Sequence, residues 1–492
     1  MELITQSLRR HAANQASKPA VISGNSTFTY GQLWAYALAT ASWLASRGVK
    51  PRDRVVILVA PNDPWFAVAY FGAHLAGAAA IPLDLKGAET TTLAVQEQVA
   101  PAFLLAGAVL DELKTHLADG ANTQDLAALE QRLPVVSPDE TADILFTSGS
   151  TGQPKGVVLT HANIAAAAHN ITTFIGNTGD DREVVTVPLN HSFGLGRLRC
   201  NILAGGTLII VPGLTFPSLV FKALAAHQAT GLACVPTGVA VLIKVGGERL
   251  GEFAATIRYM ELGSARMEEA AKRAIMSLLP STRICMHYGL TEASRSAFME
   301  FHADESRLES VGRATPNVSI SIADETGKPL GSGESGRIRI KAATVMKEYW
   351  RDPQRTAQVF DREGWFDTGD LGYLDAAGYL FLQGRVDDVI NVGGKKVYPV
   401  TVEEAAMLYS GVVEAACVGK SDPDGLLGEV PVLYVVQQAG AGVDSAALLQ
   451  FLAGRVELYA VPRFVRFVDA IPRTGSGKPQ RVLLKARERA EP

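Results

Sequence analysis

A chain of 492 residues is longer than one hydrophobic core can usefully serve, so at least two domains are expected. Hydrophobic residues make up 47% and charged residues 20%, which supplies enough apolar surface to exclude a disordered chain. A formal net charge of −4 gives no bulk attraction to nucleic acid or to an anionic membrane.

The N-terminus, MELITQSLRRHAANQ, carries charges and amides where a secretion signal needs an apolar run. Val55–Val59 reads as a strand. The next apolar stretch, Trp65 to Leu83, is almost long enough to span a bilayer, but it is Ala- and Gly-rich, contains His74 and is broken by Pro82. A buried helix running into a strand is expected there, with no membrane insertion. The four cysteines, Cys200, Cys234, Cys285 and Cys417, have neither disulfide-framework nor metal-ligand spacing, and fit reduced thiols of a cytoplasmic protein.

From Asp143 a short apolar strand enters Thr147-Ser148-Gly149-Ser150-Thr151-Gly152-Gln153-Pro154-Lys155-Gly156, with four hydroxyl residues, three glycines and one lysine. Glycines let backbone N–H groups approach a polyphosphate, hydroxyls donate to its oxygens, and lysine adds a point charge. The segment fails the Walker pattern, because Pro154 precedes the lysine and Val157–Thr160 reads as a strand rather than a helix. A polar surface loop is the bland alternative. Gly194-Leu-Gly196-Arg-Leu-Arg199 lacks the third glycine of a dinucleotide fingerprint.

Strand Thr207–Val211 and helix Phe216–His227 continue the alternation, which predicts an α/β fold: a large N-terminal domain of layered sheets and helices. Beyond Gly336 short alternating strands appear, Gly336–Lys341 and Gly378–Gln383, separated by the turn signal Asp375-Ala-Ala-Gly378. The tail predicts a smaller mobile α+β domain: strand Val389–Val392, a helix from about Val400 to Tyr409, strands Val413–Val418 and Val432–Val436, and helix Ala446–Val456. The polar stretch Gly384-Arg385-Val386-Asp387-Asp388 is the expected joint, giving domains 1–384 and 389–492 with a hinge at 385–388; a polar hairpin turn is the alternative.

The run TSGSTGQPKG resembles the signature loop of the adenylate-forming superfamily, which holds acyl- and aryl-CoA synthetases, peptide-synthetase adenylation domains and luciferases. Further segments match in the same order along nearly the whole chain. The resemblance implies that Gly263-Ser264-Ala265, after strand Tyr259–Leu262, lays backbone against adenine, and that Tyr288 with Gly289 stacks on it. It also implies that Thr291 bonds the α-phosphate, and that Glu292, with Thr147, helps hold Mg²⁺. A carboxylate is the hard ligand that ion prefers, although a lone Thr-Glu pair is more often a helix start. Trp365-Phe-Asp367-Thr368-Gly369-Asp370 resembles the ribose motif: Asp370 accepts two hydroxyls, Arg385 follows as a second ribose or phosphate contact, and Asp387 is the hinge. An Asx turn is the ordinary reading for Asp367. Lys478, in Pro472-Arg-Thr-Gly475-Ser476-Gly477-Lys478, corresponds to the lysine that stabilises the anionic transition state of adenylation; a solvated lysine is the alternative.

His191-Ser192-Phe193-Gly194 stands where amino-acid-activating relatives carry an ammonium-binding Asp, and no carboxylate is present in it, which argues against an α-amino acid substrate. It looks more like the His/Phe gate of acyl- and aryl-CoA ligases, with a core histidine as the alternative for His191. The acyl pocket is expected from His191, Phe193, Gly289 and Arg295; one of Arg197, Arg199 and Arg295 binds a polar feature of the acid, or all three form internal ion pairs. Gly393 and Gly394, in Asn391-Val-Gly393-Gly394-Lys395-Lys396, resemble the loop lining a pantetheine tunnel. The implied activity is activation of a carboxylic acid by ATP and Mg²⁺ to its acyl-adenylate, with transfer to CoA. A carrier-protein phosphopantetheine or an amine is the alternative acceptor, and a non-catalytic nucleotide binder the third reading.

Overall fold

The computed structural model describes residues 1–85, 89–118, 125–148, 154–214, 216–473 and 479–490. The chain divides into two compact units: Met1–Ile320 with Ile340–Phe366, and Ser321–Arg339 with Asp367–Pro492. The expected joint at 385–388 therefore lies inside the second unit, as the 3-10 turn Val386–Asp388, and the compact units do not part at Gly384.

The first unit has the layered α/β architecture that its alternating apolar runs imply. One sheet has nine strands, ordered Arg313–Ala314, Ala297–Glu300, Arg283–Tyr288, Tyr259–Leu262, Gly231–Cys234, Arg182–Val185, Thr207–Ile210, Pro19–Ser23 and Ser26–Thr29. Its central pairs are parallel and its edge pairs antiparallel. The central strands are fully buried and accordingly read as apolar runs rather than alternating ones. A second sheet orders Glu348–Tyr349, Pro154–Thr160, Thr141–Ser148, Ala79–Pro82, Arg54–Leu58 and Phe103–Ala106. The stretch Trp65 to Leu83 is the buried helix Trp65–Leu75 and the buried strand Ala79–Pro82. Among the described residues no helix is long and apolar enough to cross a membrane.

Helix Ser192–Ala204 is tied to both sheets. Residues two apart on a helix point about 200° apart, so Arg197 and Arg199 face opposite ways. Arg197, fully buried, grips Glu183 through two bonds of 2.6 and 2.8 Å and lies 2.9 Å from Glu261, both on the nine-stranded sheet. Arg199 bonds Asp143 on the six-stranded sheet and donates to the Tyr70 hydroxyl at 3.0 Å. Gly205, at φ 80°, ends the helix in the left-handed conformation that glycine adopts without strain.

The second unit carries a four-stranded sheet, ordered Val318–Ala323, Gly336–Ala342, Phe366–Leu374 and Leu380–Arg385, and a three-stranded sheet of Val412–Ser421, Glu429–Gln437 and Phe464–Phe467. Helices Pro399–Met407 and Ser445–Ala453 pack beside the latter in one apolar cluster around Val402, Leu433, Leu448 and Leu452. The central strand pair is longer than its apolar stretch suggests, because Lys420, Ser421 and Glu429 extend the antiparallel register beyond the buried core.

Breaking a buried pair by removing one partner leaves an uncompensated charge. Arg197→Ala, which strands Glu183 and leaves Glu261 with Arg295 alone, is expected to destabilise the first unit by about 3–5 kcal/mol, read as a lowered denaturant midpoint. A midpoint unchanged from wild type would contradict this placement.

Candidate active site

Strands Thr141–Ser148 and Pro154–Thr160 pair antiparallel up to Ser148↔Pro154, so the glycine–hydroxyl segment joins two strands and no helix opens from it. Gly149, Ser150, Thr151 and Gly152 lie outside the described residues, as does Lys478. At the rim, the Thr147 hydroxyl oxygen is buried and has no hydrogen-bond partner among the described residues.

Across from it, Leu290 and Ala293 exchange backbone hydrogen bonds of 3.0 and 3.2 Å, closing a turn with Thr291 and Glu292 at its corners. The pair is therefore not a helix start. Glu292 is buried, and its Oε1 accepts from the Lys155 ammonium at 2.7 Å and from the Tyr349 hydroxyl at 2.9 Å. Lys155 also donates to the Tyr349 oxygen at 3.2 Å. Tyr349 reaches this point because its strand pairs with Val157 of the lysine's own strand. Burial alone would raise the Glu292 carboxyl; the Lys155 charge and hydrogen bond, helped by Tyr349, outweigh it and hold the group below the ordinary glutamate value. Sequence reading missed Tyr349, which lies 57 residues from Glu292.

Strand Tyr259–Leu262 ends at Gly263-Ser264-Ala265, and the neighbouring strand Arg283–Tyr288 ends at Gly289. Ligands of parallel sheets gather at such carboxyl ends. Ser264 (φ 71°) and Arg295 (φ 50°) both hold left-handed backbone that non-glycine residues adopt only at a cost. Tyr288 is buried, and Gly289 packs so closely on Ala293 and Arg295 that a side chain would meet backbone at 2.5 Å. His191 precedes helix Ser192–Ala204 and is exposed, which removes the core-histidine alternative; Phe193 is buried two residues on.

All three arginines are engaged inside the protein. Arg197 and Arg199 have the partners given above. Arg295 approaches Glu261 at 3.1 Å and donates to the carbonyls of Ser192 (3.0 Å) and Phe193 (2.9 Å). Its guanidinium thus holds the start of helix Ser192–Ala204, where the pocket assignment expected it to face the acid. Gly196 explains part of the sequence pattern: a Cβ there would lie 2.4 Å from Arg295 Nη1, so this glycine makes room for a guanidinium, not a phosphate. Also missed was Glu261, a carboxylate inside the apolar strand YMEL. It stands within reach of Arg197, Arg295 and His287 Nδ1, the last at 2.8 Å.

In the second unit Asp370 and Arg385 face each other across an antiparallel pair, 3.7 Å apart. Asp367 accepts from the Gly369 N–H, the Asx turn expected of it, and pairs with Arg337 at 2.6 Å. Asp387 lies in the turn Val386–Asp388, whose backbone accepts from Lys485 at 2.9 Å, while Arg481 stands 3.5 Å from Asp388 and 2.7 Å from Glu403. Helix Arg481–Ala490 is thus pinned to the expected hinge. Gly393 (φ 57°) and Gly394 (φ 83°) turn between strands Ile390–Val392 and Lys395–Val397. Beside them lies a cavity of about 420 Å³, with Lys395 over the Tyr459 ring on its wall. Lys396 is paired with Glu325 at 2.7 Å.

The strand pair flanking the glycine–hydroxyl segment and the Lys155–Glu292–Tyr349 cluster belong to one layered α/β unit. Residues 8–350 match the AMP-binding enzyme family, and residues 401–478 match the AMP-binding enzyme C-terminal domain. The chain belongs to the AMP-binding enzymes. It is 31% identical to a feruloyl-CoA synthase of an Amycolatopsis species over 484 residues, covering 95% of this chain and 96% of that protein. Among solved structures, ATP-bound MatB from Rhodopseudomonas palustris aligns with a TM-score of 0.85 at 29% identity, covering 99% of each chain. The o-succinylbenzoate CoA synthetase MenE of Bacillus subtilis, in complex with its acyl-adenylate intermediate, aligns with a TM-score of 0.85 at 27% identity over 97% of each chain.

Lys155 controls the Glu292 charge, which gives a pH test. A carboxyl held below its ordinary value stays ionised until the pH falls through that lowered value. Lys155→Met removes the cation and leaves the burial, so the carboxyl protonates at a higher pH than in wild type. The acid limb of nucleotide binding is expected to move to higher pH, measured by fluorescent ATP titration between pH 4 and pH 8. An acid limb at the wild-type position would show that Lys155 does not set this charge.

Proposed function

We propose that the protein is an AMP-forming acid–CoA ligase: it converts a carboxylic acid to its acyl-adenylate with ATP and transfers the acyl group to the CoA thiol. The observation that carries this reading is the Lys155–Glu292–Tyr349 cluster placed against the strand hairpin of the phosphate segment, in a chain that belongs to the AMP-binding enzymes.

In the first half-reaction a carboxylate oxygen attacks the α-phosphorus of ATP. The new P–O bond forms as the bond to pyrophosphate breaks. The glycine–hydroxyl segment and Lys155 bear the phosphate charge, Thr291 bonds the α-phosphate, and Lys478 brings a cation to the crowded anionic transition state. Asp370 and Arg385 receive the ribose, and the backbone of Gly263, Ser264 and Ala265 with Tyr288 receives adenine. In the second half-reaction the thiol sulfur attacks the acyl carbonyl and AMP leaves. Asp387 is the proposed pivot that exchanges Lys478 for the Gly393-Gly394 turn, with His191 and Phe193 gating thiol entry.

Mg²⁺ is assigned to Glu292 and Thr147. The fit rests on chemistry: both offer hard oxygens, the Thr147 hydroxyl lacks a partner among the described residues, and Glu292 already attracts a cation in Lys155. When bound, the ion offsets charge on the phosphates. The four free cysteines are all buried, which suits the reducing cytoplasm.

Pyrophosphate release is the test, run across a panel of aliphatic, aryl and arylalkanoic acids with and without CoA. At least one acid should give AMP, pyrophosphate and a thioester in equal amounts with CoA present. Lys478→Ala should slow the adenylation step by about 10²-fold or more. ADP as product, or no pyrophosphate from any acid, would refute the assignment.

A further inference from the structure

Residues 345–350 lie far along the chain from the acidic corner and from the strand pair of the glycine–hydroxyl segment, yet they touch both. Val345 bridges Ala293 in antiparallel register, and the Met346 N–H donates to the Glu292 carbonyl at 2.7 Å. Strand Glu348–Tyr349 then pairs with Val158 and Val157. The Lys347 N–H meets the Val158 carbonyl at 2.9 Å, and the Trp350 N–H meets that of Gly156 at 2.8 Å. Side chains alternate along a strand, so Glu348 is exposed while Tyr349 turns inward. Gly156 lets this segment lie close, because a Cβ there would crowd the Trp350 Cβ at 3.0 Å. All of these residues belong to the first unit.

The Tyr349 phenol closes a triangle. Its oxygen is 2.9 Å from Glu292 Oε1 and 3.2 Å from Lys155 Nζ, and those two are 2.7 Å apart. An ammonium only donates and an ionised carboxylate only accepts, whereas a phenol does both. The directions are therefore fixed: Lys155 donates to Tyr349, and Tyr349 donates to Glu292. These two donors to Glu292 differ in freedom. Lys155 carries its charge on a flexible four-carbon stem and is 23% exposed. Tyr349 has two side-chain torsions, is 4% exposed, and sits in a strand bonded to its neighbour. The Glu292 side chain is 5% exposed, and a carboxylate so buried is costly to leave without a donor.

Resting on the reading that this protein activates a carboxylic acid with ATP, we propose that Tyr349 is a positioning residue: its hydroxyl holds the Glu292 carboxylate in place while the Lys155 ammonium is drawn to the phosphates of the nucleotide. Tyr349 acts through Glu292. Without the hydroxyl, the phosphates and Glu292 compete for one cation. Either the lysine stays and the phosphates lack it, or it leaves and a buried charge loses both donors. Each outcome weakens nucleotide binding.

ATP binding, followed by calorimetry in magnesium buffer with no acid present, reads this directly. Tyr349→Phe keeps the ring and removes only the hydroxyl; its Kd for ATP should rise roughly tenfold or more. Tyr349→4-aminophenylalanine returns an N–H donor to the same place and should recover most of the lost affinity. A role in packing alone would not distinguish these two rings. In a Glu292→Ala background, removing the hydroxyl should weaken binding almost no further, because the group it holds is gone. Wild-type affinity in Tyr349→Phe, no recovery with the amine, or a loss that adds in full to that of Glu292→Ala overturns the role of Tyr349. A wild type that binds no ATP, or that releases no pyrophosphate with any acid, overturns the reading beneath it instead.

Discussion

Two arginines on one helix tie together the two large sheets of the first unit. Arg197 and Arg199 leave helix Ser192–Ala204 in opposite directions and bond carboxylates on different sheets, Glu183 and Glu261 on one and Asp143 on the other. Strand Thr141–Ser148, which holds Asp143, runs directly into the phosphate segment, and the helix begins at His191 and Phe193. The strand that leads into the glycine–hydroxyl segment and residues His191 and Phe193 are thus tied to the same rod. Buried ion pairs of this kind add little net stability over apolar packing, but a wrong register leaves charges unpaired. Their contribution is to make one arrangement of helix and sheets far better than its neighbours.

Charge is arranged in two separate groups around this rod. In one, the carboxylates Glu183 and Glu261 are balanced by Arg197 and Arg295, with the His287 ring at the edge. In the other, Glu292 accepts hydrogen bonds from Lys155 and Tyr349. The first group is closed, with every guanidinium occupied. In the second, the cation is a lysine on a flexible stem.

Local signals in the sequence were strong where chemistry is local. Strand Tyr259–Leu262 and the turn at Gly263 follow from four apolar-flanked positions and a glycine, and the phosphate segment is dense enough in glycine and hydroxyl to stand out. Boundaries were less legible: Val413–Val418 extends to Val412–Ser421 because polar residues at its end pair across the ladder without being buried. The arginines of the gate region were the main ambiguity. Asp143 and Arg199 are 56 residues apart, and Glu261 and Arg295 are 34 apart, so nothing short-range marks them as partners. A glutamate inside the apolar run YMEL was the one available hint, since a buried carboxylate demands a cation. Gly194 and Gly196 likewise looked like a broken nucleotide fingerprint; at Gly194 a side chain would strike the Pro188 carbonyl at 2.1 Å, so packing alone requires it.

The central claim is that a bound carboxylate attacks the innermost phosphorus of ATP and keeps one of its oxygens on AMP when the thiol displaces the acyl group. Turnover of an acid labelled with ¹⁸O in its carboxyl group, followed by mass spectrometry of the products, tests it directly. One labelled oxygen should appear in AMP and none in pyrophosphate. Unlabelled AMP, or label in an inorganic phosphate product, would contradict it.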